Sequence, residues 1–170
     1  MPFETVTAYL GLGSNLGDRE ENLRMAIDLL SRRMRTGKFS SIYDTAPIGD
    51  IPQPRFLNMV CEISTTLAPP LLLYAVKNVE MMAGRRGKTG EPRIIDIDIL
   101  LYGDQVFKSA DLEVPHPRLA ERAFALIPLA EISPDVIHPV KKKTIKQLKE
   151  ALPDQDVHFF GTFSTEKKNV

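Results

Sequence analysis

Apolar residues along this chain recur with two different periods, and the switches between them mark out the elements. Residues 6–12 form a short apolar run that gives way to Gly13-Ser14-Asn15-Leu16-Gly17-Asp18, a strand followed by a turn with Asp18 as a helix N-cap. Leu23, Ala26, Ile27, Leu30 and Met34 then fall at i, i+3, i+4, i+7 and i+11, the stripe of an amphipathic helix. Residues 38–43 read as a second strand, 44–55 as a long loop with three prolines, and 56–67 as a third strand. Pro69 opens a second helix where its missing N–H does no harm. Leu72, Val76, Val79 and Ala83 supply that helix's apolar stripe, and Gly84 stops it. Residues 91–102 return to β-branched residues and close at Gly103-Asp104.

The order β-α-β-β-α-β predicts an α+β fold with a ferredoxin-like core, a mostly antiparallel sheet with both helices on one face. The other face is then free to carry function. Beyond the core, Val106-Phe107 and Glu113-Val114 suggest an added hairpin, and Pro115-His116-Pro117 starts a short helix bearing Arg118 and Arg122. An apolar helix over 124–132, an extended stretch over 136–139 and a helix over 144–152 follow. One domain covers residues 1–160, and a polar tail over 161–170 is expected to fray.

Strand alternation sorts the chemistry. In the last core strand Ile95, Ile97, Ile99 and Leu101 share the core face, while Ile94, Asp96, Asp98 and Leu100 share the other. Two carboxylates at i and i+2, with Cα atoms about 6.5 Å apart, suit a hard cation such as Mg²⁺ that takes its remaining oxygens from phosphate. Alone, such a pair is more often a wetted sheet face. In the third strand Leu57, Met59, Cys61 and Ile63 take the core side, which leaves Phe56, Asn58, Val60 and Glu62 on the face of the acids. An exposed aromatic beside an amide fits a flat ring, Phe56 stacking and Asn58 reading polar edges.

Arg85, Arg86, Lys88 and Arg93 crowd a glycine-bearing loop directly before the acidic strand, and His116, Arg118 and Arg122 add donors. Both clusters suit a polyphosphate. Glu80, at the edge of its helix's stripe, either snorkels or aims into a cleft. Together these features point to metal-dependent phosphoryl transfer from a nucleotide to a ring-bearing acceptor. Two other motifs fail. Gly11-Leu12-Gly13-Ser14-Asn15-Leu16 lacks the third glycine of a dinucleotide fingerprint and reads as a tight turn, and Gly87-Lys88-Thr89 runs into a strand where a P-loop needs a helix.

Composition narrows the picture further. Lys+Arg and Asp+Glu balance at 22 each over 170 residues, so no global charge recruits nucleic acid or a membrane. No apolar run approaches the ~20 residues of a membrane span. The first residues lack the blocks of a signal peptide, and a single cysteine, Cys61, suits a reducing compartment. The expectation is a cytoplasmic monomer acting on small molecules.

Several of these residues carry a resemblance. Gly13-Ser14-Asn15-Leu16, Tyr43-x-Thr45-x-Pro47, Phe56-Leu57-Asn58, Pro92-Arg93-x-x-Asp96-x-Asp98-Ile99-x-Leu101, Val114-Pro115-His116-Pro117 and Arg122-x-Phe124-x-Leu126-x-Pro128-Leu129 resemble the 6-hydroxymethyl-7,8-dihydropterin pyrophosphokinases of the folate pathway. The resemblance implies transfer of the β,γ-pyrophosphoryl unit of ATP to the pterin's hydroxymethyl oxygen, releasing AMP. It implies that Asp96 and Asp98 hold two Mg²⁺ ions, and that Phe56 and Phe124 sandwich the pterin. Thr45, Asn58 and the backbone near Ile48 would read the pterin's edge. Arg85, Arg93, His116 and Arg122 resemble the phosphate clamp, with Arg85 and Arg93 counted with the two acids as catalytic. Glu80 would lie in the ATP-side network, and Lys77, Ile99 and Leu112 would flank adenine. The loop before the acidic strand is shorter than in many members and lacks their Trp, which leaves Arg86 and Lys88 without assigned roles. A ferredoxin-like RNA- or ligand-binding module is the alternative, disfavoured by neutral charge and acids on the sheet face. A DxD nucleotidyltransferase, which would release pyrophosphate, is the other.

Overall fold

The computed structural model describes residues 4–84 and 92–165. The first apolar run is strand β1 (Val6–Ser14), two residues longer than its pattern predicts, because Gly13 and Ser14 stay in ladder register with Asn58 and Leu57. Helix α1 (Arg19–Ser31) starts at Asp18, whose carboxylate accepts the Glu21 N–H at 3.1 Å. The strand expected at 38–43 is two strands, β2 (Arg35–Phe39) and β3 (Ile42–Thr45). Between them Ser40 exchanges bonds with Val60 through both its N–H and its hydroxyl, and the side chain's entry interrupts the ladder. Both pieces pair with β4 (Phe56–Thr65). Helix α2 (Pro69–Met82) follows, and Gly84, at φ +93°, turns the chain where a side chain would be strained. The acidic strand β5 spans Asp96–Tyr102.

The sheet order is β5-β1-β4-β3, with β1–β4, β1–β5 and β3–β4 antiparallel and β2 also on β4. This is the ferredoxin-like arrangement, with one addition. The end of the domain, where no strand was expected, contributes an edge strand, β8 (Val157–Gly161), paired with β3; just beyond it the Phe163 ring lies 5.1 Å from that of Phe39. Its four side chains before Gly161 are largely solvent-facing, so no alternation announces it. Residues 166–170 lie outside the described residues.

One sheet face packs Leu10, Leu12, Leu57, Met59, Ile97 and Ile99 under α1 and α2, all at most 5% exposed. The opposite face is not free along its whole length. Helices α3 (Ala123–Ile132) and α4 (Ile145–Glu150) cover Tyr9, Val60, Leu100 and Leu101 there. Leu101, expected beside Ile99, belongs to this second cluster. The β1–β5 register slips between Tyr9 and Leu10, and such a bulge re-aims every side chain beyond it. The added hairpin, β6 (Phe107–Lys108) with β7 (Glu113–Val114), is present. The short helix expected to align Arg118 with Arg122 is a 3-10 turn, Leu119–Glu121, which the two arginines flank.

Candidate active site

The uncovered half of the second face holds a cleft of about 700 Å³. Its floor is a row across three strands. Asp96 lies opposite Gly13, and Gly13 opposite Asn58; one step along, Asp98 lies opposite Gly11 and Gly11 opposite Val60. The two glycines are therefore part of the floor rather than of a tight turn. A Cβ on Gly13 would stand 2.6 Å from the Asn58 Oδ1, closer than any real contact. Glycine lets the amide lie against bare backbone.

Asn58 in turn donates from Nδ2 to the Thr45 hydroxyl at 2.6 Å. Phe56, expected to be exposed, is only 9% exposed, because the Arg93 guanidinium lies over its ring, 5.3 Å from the centroid. Across the cleft lining, Arg122 takes the same position over Phe124 at 5.4 Å. Each pair joins a flat apolar surface to a cation. In both arginines the Nε is buried without a hydrogen-bond partner; the approach of Arg93 Nε to Asp96 Oδ2, 3.8 Å, is too long for one. Two buried donors of this kind call for an acceptor. The Arg122 guanidinium is lowered by burial and by neighbouring Arg118, and an incoming anion would offset both effects.

The acids show the opposite imbalance. The Asp98 carboxyl is pushed up to about 7 by burial and by the nearby Asp96 charge, a combination that a cation at the pair would relieve. Glu80 is 4% exposed and its carboxylate accepts the Ile97 N–H at 2.9 Å, so it holds the β5 backbone at the residue between the two acids. His116 is anchored by its N–H to the Leu100 carbonyl at 2.9 Å. Its Nδ1 accepts the Arg118 N–H at 3.2 Å, while burial and Arg122 lower its pKa. The neutral ring then carries its proton on Nε2.

Every described residue proposed from the sequence lines this one cleft: the acids, Arg93, Arg122, His116, Thr45, Ile48, Phe56, Asn58 and Phe124, and also Lys77, Glu80, Ile99 and Leu112. Arg85, with Arg86 and Lys88, lies outside the described residues. Asn15 is a residue whose part sequence reasoning misses. Its Oδ1 accepts the Arg93 N–H at 2.7 Å, its own N–H reaches the Arg93 carbonyl at 3.1 Å, and its Nδ2 reaches Gln53 and Pro54. It thus fixes Arg93 to the end of the 46–55 loop. Only the tertiary approach of residues 78 positions apart makes that visible. The glycines could have been found, since alternation puts Gly11 and Gly13 on the acids' face. Among the described residues no third His, Cys, Asp or Glu joins the pair to make a three-ligand metal cluster.

Residues 9–134 match the 7,8-dihydro-6-hydroxymethylpterin-pyrophosphokinase (HPPK) family. The chain is 47% identical over 145 residues to the 2-amino-4-hydroxy-6-hydroxymethyldihydropteridine pyrophosphokinase of Aquifex aeolicus, covering 84% of this chain and 90% of that protein. It is 39% identical over 163 residues to the folic acid synthesis protein fol1 of Schizosaccharomyces pombe, 94% of this chain but 22% of that longer protein. Among solved structures, the Plasmodium falciparum HPPK-DHPS chain superposes with a TM-score of 0.72 at 18% identity, over 86% of this chain and 43% of that one. The last comparison speaks for the fold alone.

Proposed function

The chain belongs to the 7,8-dihydro-6-hydroxymethylpterin-pyrophosphokinase family, enzymes of pyrophosphoryl transfer in folate biosynthesis, and we propose how its cleft carries out that transfer. The reading is that the β,γ-pyrophosphoryl unit of ATP passes to the hydroxymethyl oxygen of 6-hydroxymethyl-7,8-dihydropterin and AMP leaves. The observation that carries it is one cleft joining two interacting carboxylates, two buried arginine Nε donors without partners, and two aromatic rings.

Asp96 and Asp98 would hold Mg²⁺, two ions in this reading. The all-oxygen pair fits that ion, and the lack of a third protein ligand among the described residues suits magnesium completed by phosphate and water oxygens. When bound, magnesium supplies charge that offsets the triphosphate and favours in-line displacement. Arg93 and Arg122 would turn their free Nε donors to phosphate oxygens, and the protonated His116 Nε2 would add a neutral donor. Arg85 is assigned to the same clamp from sequence. Phe56 and Phe124 would bracket the pterin ring, with Asn58, Thr45 and the backbone near Ile48 at its edge. Lys77, Ile99 and Leu112 would border the adenine. Glu80 acts through β5 by fixing the backbone that carries both acids. Transfer then depends on alignment and charge neutralisation more than on a protein base.

No described helix is long and apolar enough to cross a membrane; we take the enzyme to act in the cytoplasm as a monomer on these two small molecules. The test is incubation with ATP, Mg²⁺ and hydroxymethyl-dihydropterin, identifying the nucleotide product. AMP formed only in the presence of the pterin is expected. Pyrophosphate release in its place would move the chain to the nucleotidyltransferases.

A further inference from the structure

The two ring-bearing walls of the cleft come from distant parts of the chain. One is the 46–55 loop leading into Phe56; the other is the turn and helix start at 121–124 carrying Arg122 and Phe124. Helix α3 has no side-chain cap of its own at Arg122. Its free first N–H, on Ala123, is taken by the Gln155 Oε1 at 3.0 Å, and the Gln155 Nε2 donates to the Glu121 carbonyl at 3.0 Å. The next residue grips the opposite wall. Asp156 accepts two parallel bonds from Arg55, at 2.9 and 2.8 Å, and its carbonyl accepts the Ala46 N–H at 3.0 Å. Arg55 also donates from Nε to Asp44, so both ends of the 46–55 loop are tied to one point.

We infer that Gln155 and Asp156 form a two-sided brace that sets the gap between the Phe56 and Phe124 walls and so tunes capture of the flat heterocycle. The inference rests on the pterin reading above. Consecutive Cα atoms are about 3.8 Å apart, so one grip cannot shift without the other. A ring held between two others needs about 7–8 Å between them, twice the ordinary contact distance, and small errors there weaken positioning steeply. Both residues lie beyond the stretch that matches the family, which ends at residue 134. They touch no reacting atom; they are positioning residues.

Gln155→Ala and Asp156→Ala should each raise the KM for hydroxymethyl-dihydropterin about five- to thirtyfold and the KM for ATP by clearly less, since Arg122 rides on the braced turn while the acids, β5 and Arg93 are untouched. Gln155→Glu, which keeps the acceptor for Ala123, should recover part of the loss. A readout independent of turnover is amide hydrogen exchange: Gln155→Ala should speed exchange of the Ala46 N–H on the opposite wall, which Gln155 does not contact. A rise in the ATP KM as large as that in the pterin KM, no rise in the pterin KM, or an Ala46 amide indifferent to Gln155→Ala would overturn the brace. An unmodified chain that makes no AMP would instead overturn the pterin reading, and the exchange result would still decide the brace.

Discussion

Three consecutive cross-strand rows on the second sheet face draw on the same strands and have opposite fates. In one, Glu62, Tyr9 and Leu101 sit side by side; Tyr9 and Leu101 are covered by α3 and α4, and the Tyr9 hydroxyl bonds to Ser133 at 2.8 Å and to Glu62 at 3.1 Å. Two residues along β1 and β4, and three along β5 because of the bulge, the row is Val60, still covered, with Gly11 and Asp98 in the cleft; after two more on each strand it is Asn58, Gly13 and Asp96. The packed half satisfies its polar groups internally. The open half leaves the Nε donors of Arg93 and Arg122 without acceptors and two anions side by side. Burial that is balanced makes a core; burial left unbalanced in complementary pairs makes a site.

The sharpest way to break the contrast is to remove an acid. Asp96→Ala or Asp98→Ala should lower turnover by at least about a thousandfold without unfolding the protein. Asp98→Asn, which removes a buried charge facing Asp96, should raise the metal-free melting temperature by a few degrees even as activity is lost. Steady-state assays with calorimetry on the same samples would check both. A fall in melting temperature would show that the acid pair supports the fold.

The packed half predicts the reverse. Leu126, fully buried under the second face, should cost about 2–5 kcal/mol as Leu126→Ala, lowering the melting temperature by roughly 5–15 °C while leaving both KM values nearly unchanged at temperatures where the variant is folded. Gly13→Ala should fall between the two. By displacing Asn58 it should raise the pterin KM about tenfold, with little change in ATP binding.

The smallest effect is at the clamp between α3 and the sheet. The Glu131 carboxylate accepts from the Ser41 N–H and hydroxyl and from the Tyr43 hydroxyl. Burial, then the Glu131 charge, pushes the Tyr43 hydroxyl up to about 12. Its folded value exceeds the unfolded one, near 10, so its stabilisation is whole below about pH 10 and is lost as pH rises through 12. Tyr43→Phe should cost about 0.5–1.5 kcal/mol at neutral pH and flatten that alkaline decline, as pH-dependent melting would show.

Much of this was legible along the chain. Period-two alternation assigned Asp96 and Asp98 to one face and Ile97 and Ile99 to the other, and put Phe56 and Asn58 beside the acids, because strand geometry ties sequence parity to direction. Asp18 and Pro69 announced their helices by local capping chemistry, which needs no distant partner. Three things were decided only by the folded chain. The bulge at Leu100 sent Leu101 to the second face, since a register slip is a property of two strands together. Helices α3 and α4 closed half of a face that alternation left free, because apolar residues do not say which surface they will cover. The grips of Asn15, Gln155 and Asp156 join residues far apart in sequence, and hydrogen bonds between polar side chains and distant backbone leave no periodic trace.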